Sequence, residues 1–169
     1  MVGTLAKWLR ILGYDTCFDP DMDDHQLVRL ARAEDRVLLT RDRELARRPG
    51  LNAVFVTSES LDAQIGQVLT DLSLEPDRSF SRCPVCNEQL AEVNREAARE
   101  RVPAYVAQTQ ESFSACPACQ RVYWRGTHWQ QMDEQLARIL KSEGPSETDE
   151  MPNKKTRSVS YTHLRAHET

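Results

Sequence analysis

The chain has 169 residues, 40% of them hydrophobic, and a formal net charge of −4. That length supports one ordinary domain and a small second one around a true core, which excludes a chain disordered throughout. The acidic balance excludes attachment to nucleic acid by bulk positive charge, leaving room for a local basic patch. No apolar run approaches the roughly 18 residues of a membrane span. The start, Met1-Val2-Gly3-Thr4-Leu5, lacks the basic segment and long apolar stretch of a signal peptide. The expected location is cytoplasmic, with no membrane partner.

Leu5, Trp8, Leu9 and Leu12 recur at helical spacing before Gly13, so residues 4–12 read as an amphipathic helix with a glycine stop. A short strand over Tyr14 to Phe18 follows. Asp23 or Asp24 then stands where an N-cap belongs, ahead of Leu27, Leu30 and Ala31 on a second helix. Val37-Leu38-Leu39 is a continuous apolar run suited to a strand covered on both faces. Asp42 can cap a short helix after it. Pro49-Gly50 breaks the chain, and Ala53-Val54-Phe55-Val56 forms another buried strand. Ser60 opens a helix through Leu61, Ile65, Val68, Leu69 and Leu72. Strands and helices alternate over residues 1–72, the order of an α/β domain with a parallel sheet and crossover helices.

Residues 73–81, with Ser73, Pro76, Ser79 and Ser81, read as a linker. A second module then begins, rich in cysteine, proline and aromatic residues, and ends on a helix carrying Met132, Leu136, Ile139 and Leu140. The expected boundaries are 1–75 for the α/β domain and 82–140 for the module. The tail, 141–169, holds almost nothing to bury and is expected to be disordered. Its last twelve residues, from Ser158 to Thr169, read as a non-native end outside the fold. His163 and His167 lie one helical turn apart in it without a supporting shell, so metal ligation there is not expected.

Cys83-Pro84-Val85-Cys86 and Cys116-Pro117-Ala118-Cys119 carry the strongest chemical signal. Two Cys-x-x-Cys turns supply the four thiolates of a tetrahedral structural Zn²⁺ site. The 29 residues between the pairs exceed the usual gap of about 15–20, which calls for an enlarged loop or an inserted hairpin. Disulfides are disfavoured in a reducing cytosol, and a redox turn needs only one pair. Cys17, in a predicted strand, reads as a small buried apolar residue.

Asp23 and Asp24 open one helix, and Asp42 with Glu44 opens another. Both helices follow strands, so the acids can converge at the carboxyl edge of the sheet, where α/β folds gather ligands. Oxygen ligands there suit Mg²⁺ or Mn²⁺, which activates water and stabilises the charge of a displaced phosphodiester. The same acids serve equally as helix caps that complement the helix dipole. Arg41 and Arg43 can steer phosphate or simply solvate the loop. In the second module, Arg121-Val122-Tyr123-Trp124-Arg125-Gly126-Thr127-His128-Trp129 interleaves cations with rings. That pattern suits single-stranded RNA, whose bases stack on aromatics while phosphates meet cations. It also suits a small module that packs its rings on itself, with His128 a structural hydrogen-bonding residue.

The order "GTLAKWLRILGYDT", "DMDDHQL", "LLTRDREL", then "CPVC" and "CPAC" followed by "VYWRGTHW" resembles the mut-seven carboxy-terminal RNase domain family, PIN-like nucleases with an appended zinc ribbon. The resemblance covers residues 1 to about 140. It implies a PIN-like parallel sheet with flanking helices followed by a four-cysteine zinc ribbon, and Mg²⁺- or Mn²⁺-dependent hydrolysis of single-stranded RNA, with the ribbon helping to hold the RNA. It places Asp24 and Asp42 at the family's acidic, metal-holding positions and Glu44 at an acidic position two residues beyond the threonine-arginine-aspartate motif. Cys83, Cys86, Cys116 and Cys119 match the ribbon. Family members begin with a further strand ending in an aspartate, upstream of the helix of Leu5 and Trp8. The chain starts at Met1 inside that junction, so the natural start is expected to lie upstream.

The expectation is a metal-dependent ribonuclease whose catalytic residues are Asp24, Asp42 and Glu44, and whose RNA contacts are Arg41, Arg43, Trp124, Arg125 and His128. The alternative is a non-catalytic RNA-binding zinc-ribbon adaptor whose acids are only caps. A DNA-directed nuclease is a second enzyme reading.

Overall fold

The computed structural model describes residues 2–76, 80–142 and 161–162. Helix α1 (Val2–Ile11) leads to the short strand β1 (Thr16–Cys17). Helix α2 (Asp24–Ala33) follows, then β2 (Val37–Thr40), the single-turn α3 (Arg43–Ala46), β3 (Ala53–Phe55) and α4 (Leu61–Asp71). The predicted order of this half holds throughout.

Caps explain several of the boundaries. Asp23, not Asp24, is the N-cap of α2: its carboxylate accepts from the Gln26 N–H, and the Gln26 side chain accepts from the Asp23 N–H, a complete capping box. Ser60 Oγ accepts from the Ala63 N–H at the start of α4. Gly13 has φ of 92° just beyond α1, a conformation that costs glycine nothing and stops the helix.

Every residue of β2 is buried, and its side chains divide between two cores. Val37 and Leu39 join Leu5, Trp8, Leu9, Ile65 and Val68 on one side of the sheet. Leu38 joins Leu27, Val28, Ala31 and Leu45 on the other. Helices therefore cover both faces, as the unbroken apolar run requires, since alternate strand residues point to opposite sides. Burial of Leu38 and Leu39 contributes about 1.5–3 kcal/mol each.

Strands β2 and β3 pair in parallel, Leu38 opposite Ala53 and Thr40 opposite Phe55. A further two-residue strand, β7 (Tyr161–Thr162), lies between β1 and β2, parallel to both, giving the order β1-β7-β2-β3. This pairing departs from the expectation of a wholly disordered tail. The edges of β1 and β2 that face each other carry unpaired backbone donors and acceptors, and an extended segment between them satisfies both rows at once. The rest of the tail, including His163 and His167, lies outside the described residues.

The second module is built on an antiparallel sheet of β4 (Ala91–Val93), β5 (Phe113–Ala115) and β6 (Val122–Trp124), in the order β4-β5-β6. The long gap between the cysteine pairs holds two short helices, α5 (Arg95–Arg99) and α6 (Ala104–Thr109), between β4 and β5. Ala98 and Val106 pack with Phe113 on one face of the sheet. Helix α7 (Thr127–Ser142) follows β6, and its Leu136 and Ile139 are buried among Leu5, Trp8 and Ile65. The closing helix thus returns to the α/β core.

Candidate metal centre and catalytic edge

The two cysteine turns are built alike. Cys83 N–H donates to Glu88 O (2.8 Å) and Asn87 N–H to Cys83 O (2.9 Å); Cys116 N–H donates to Arg121 O (2.9 Å) and Gln120 N–H to Cys116 O (3.0 Å). The residue after each pair turns left-handed, with φ of 66° at Asn87 and 64° at Gln120. Within each turn the second cysteine's N–H points at the first sulfur, 3.4 Å from Cys86 N and 3.5 Å from Cys119 N. Such bonds offset charge on a thiolate.

The four sulfurs lie within 4.8 Å of one another, and none is in a disulfide. Tetrahedral bonding at the Zn–S length of about 2.3 Å separates sulfurs by roughly 3.8 Å, and Cys83 Sγ lies 3.8 Å from Cys119 Sγ. The donor set and its spacing fit a structural ion such as zinc. Cys119 has its thiol pulled down to about 7, first by the Arg121 backbone N–H, so one sulfur is readily ionised near neutrality. Hydrogen bonding with Cys119, then burial, pushes Cys86 up to about 12. Tyr123 Oη lies 3.1 Å from Cys83 Sγ and can donate to it as a thiolate.

A polar network joins this centre to the α/β domain. Buried Arg10 donates from Nε to Thr16 O (2.8 Å) and from Nη1 to Pro84 O (2.9 Å) and Val85 O (3.1 Å). Thr16 N–H donates to Asn87 Oδ1, and Asn87 Nδ2 donates to Asp15. Arg82 reaches Gly13 O and Asn87 O. Burial would push the Asp15 carboxyl up, but hydrogen bonds from Asn87 and Arg36, with the charges of Arg36 and Arg82, hold it below the usual carboxylate range.

The acids stand where the strand order puts them. Asp24 is the first residue of α2, after β1, and Asp42 precedes α3, after β2. Thr40 Oγ1 accepts from the Asp42 N–H at 3.0 Å, fixing the turn. Asp42 Oδ1 accepts from both Glu44 N (2.8 Å) and Leu45 N (3.2 Å), so the cap uses one carboxylate oxygen for both bonds. Glu44 is exposed in the first turn of α3. Among the described residues, the four cysteines are the group of His, Cys, Asp or Glu gathered closely enough to hold a metal through three or more side chains; Asp24, Asp42 and Glu44 are not drawn into such a group.

The cations have defined neighbours. Arg41 pairs with Glu59 at 3.9 Å, and the Arg43 guanidinium lies 5.2 Å from the centre of the Phe55 ring. Arg125 lies over Trp129 at 5.4 Å. Trp124 is half-buried against the Phe113 core, and His128 is exposed on α7. Arg10 and Asn87 went unmarked in the sequence. The repeated polar residue after each cysteine pair is a readable sign of Asn87, whereas the role of Arg10 at the cysteine turn carries no local signal because Pro84 and Val85 lie more than seventy residues away.

A three-layered α/β domain joined to an antiparallel module whose four cysteines are gathered closely enough to hold a metal defines a two-part protein. Residues 1–136 match the model of the Mut7-C RNAse domain, and the chain belongs to that family. The resemblance read from the motif order is thereby borne out, and membership points to a nuclease-type function. No match to the chain is found among the curated proteins or the solved structures. No described helix is long and apolar enough to cross a membrane.

Proposed function

We propose that the protein is a ribonuclease that hydrolyses phosphodiester bonds of single-stranded RNA with Mg²⁺ or Mn²⁺, and that its four-cysteine centre holds a structural Zn²⁺. The observation that carries this reading is the family match over residues 1–136. The positions of Asp24 and Asp42 after two parallel strands of one sheet, β1 and β2, support it. Mg²⁺ is typically held by one or two carboxylates together with waters and substrate phosphates. Asp42 suits that task because both capping bonds fall on Oδ1 and neither on Oδ2. When bound, the cation supplies charge stabilisation and an activated water. Asp24 and Asp42 would hold it, Glu44 would assist as a further ligand or orient the water, and Arg41 and Arg43 would draw the phosphate backbone towards the edge. The ribbon, through Arg125, His128 and Trp124, helps to hold the RNA.

One observation favours a second reading, an RNA-binding adaptor without catalysis: the three acids are not gathered as a metal-holding group, and Asp42 already serves as a cap. Cleavage of labelled single-stranded RNA with Mg²⁺ or Mn²⁺, against chelator, separates the two. Asp42→Asn keeps the capping oxygen and should abolish cleavage with the fold intact. Equal cleavage in chelator, or full rate in Asp42→Asn, rejects the metal mechanism, and RNA binding without any cleavage supports the adaptor.

A further inference from the structure

The ribbon sheet has two unlike faces. Val93, Phe113, Val122 and Trp124 pack towards α5 and α6. On the opposite face Glu92, Ser114 and Tyr123 stand side by side across the three strands, Glu92 opposite Ser114 and Ser114 opposite Tyr123. A groove of about 470 Å³ runs over this side, bounded by Phe80 and Tyr123 and also lined by Glu92, Glu111 and Arg125. That volume falls within the range of about 300–1,000 Å³ typical of small-ligand sites.

The wall is firmly built. Phe80 meets Tyr123 edge-on at 5.2 Å and Trp129 at 5.1 Å. Its φ is 56°, a left-handed conformation that a bulky residue keeps only where its surroundings impose it. Tyr123 is anchored from below by its contact with Cys83. The carboxylates of Glu92 and Glu111 accept hydrogen bonds and repel phosphate. The guanidinium of Arg125 does the opposite. A ligand matched to this lining presents a flat ring to the aromatic wall, adjacent N–H donors to the carboxylates, and its anionic group to Arg125.

We propose that this groove receives one unpaired base of single-stranded RNA and prefers guanine. Guanine presents two neighbouring donors, N1–H and the N2 amine, along one edge, which a carboxylate accepts in a paired fashion. Uracil offers a single ring N–H, and adenine and cytosine offer an exocyclic amine with no adjacent N–H. The inference rests on the RNA reading above and adds a base preference to it.

The test uses the full chain with zinc and calcium in place of magnesium, in fluorescence anisotropy with oligouridine eight-mers carrying one central guanosine, inosine, adenosine or uridine. Inosine keeps N1–H and lacks the amine. Guanosine should bind at least about fivefold tighter than uridine, since a good paired contact discriminates by that factor or more, with inosine between them. Glu92→Gln with Glu111→Gln should remove the preference and leave oligouridine binding unchanged or tighter, as two repelling charges are gone. Phe80→Ala should weaken binding to every oligomer. Binding without base preference, or a preference that survives the double substitution, overturns the inference and leaves the RNA reading standing. Absence of RNA binding overturns both. If a lysine-rich peptide binds and the double substitution weakens it while no guanosine preference exists, the groove is a cation site and the proposal falls.

Discussion

Arg10 on α1 holds the first cysteine turn by donating to the carbonyl oxygens of Pro84 and Val85. Its third bond, to Thr16 O, ties the same guanidinium to β1. One buried side chain thus satisfies acceptors from both halves of the protein, and a charged donor bond contributes about 1.5–3 kcal/mol where its loss leaves a buried carbonyl unpaired. Arg10→Ala should lower the stability of the whole chain by about 3 kcal/mol. Arg10→Lys should not restore it, because a single ammonium cannot reproduce the spread of the fork. Urea unfolding measures the loss, and amide exchange should rise in both β1 and the Cys83 turn. A rise confined to one half would show that Arg10 is not a shared anchor.

Tyr123 touches the proposed zinc centre through its contact with Cys83. A hydroxyl aimed at a thiolate offsets part of its charge and fixes its direction, and such outer contacts change metal affinity by about 10–100-fold. Tyr123→Phe keeps the ring against Phe80 and removes only that hydroxyl. Zinc affinity in a metal-buffer competition should fall within that range. Cys116→Ser removes a proposed ligand and should abolish tight binding, with loss of amide protection across β5 and β6. Full thiol titration with no metal in the purified protein would reject the zinc assignment.

Asp15 gives the stability a defined acid dependence. Its carboxyl is held below the ordinary range by Asn87 and Arg36 despite burial. The stabilisation is therefore complete above the unfolded carboxylate value of about 3.9 and is lost as pH falls through the lower folded value. Asp15→Asn should lower stability at neutral pH, and below about pH 4 the difference from the natural residue should narrow. Denaturation midpoints across the acid range check this. A constant difference at every pH would mean that the substitution acts only through packing.

Local chemistry made much of this fold legible. The 3.6-residue spacing of Leu5, Trp8, Leu9 and Leu12, the Ser60 and Asp42 caps, and the run ending in Leu39 all name their elements, because each signal sits within the element it describes. The cysteine turns were readable for the same reason: each pair folds locally and differs little in its bonding from the other. What escaped depends on distant partners. Asp42 announces itself as an acid after a strand, but whether it meets Asp24 depends on strand order, and β7 stands between β1 and β2. The apolar stripe of α7 likewise shows that the helix buries one face without naming the surface that receives it.

That surface supplies the last prediction. Leu136 is 3% exposed and sits in the core formed by Leu5, Leu9, Val37 and Ile65, while Gln135 donates to Asp62 on α4. Although α7 follows the ribbon in sequence, its apolar face completes the α/β layer. Leu136→Ala should therefore cost about 2–5 kcal/mol, the loss expected from a buried leucine that leaves a cavity. Amide exchange in β2 and α4 should accelerate together with that of α7, and zinc affinity should be unchanged because the cysteine turns lie outside this core. If the substitution instead weakens zinc binding and leaves β2 protected, α7 draws its stability from the ribbon, and the division of the two cores would have to be redrawn.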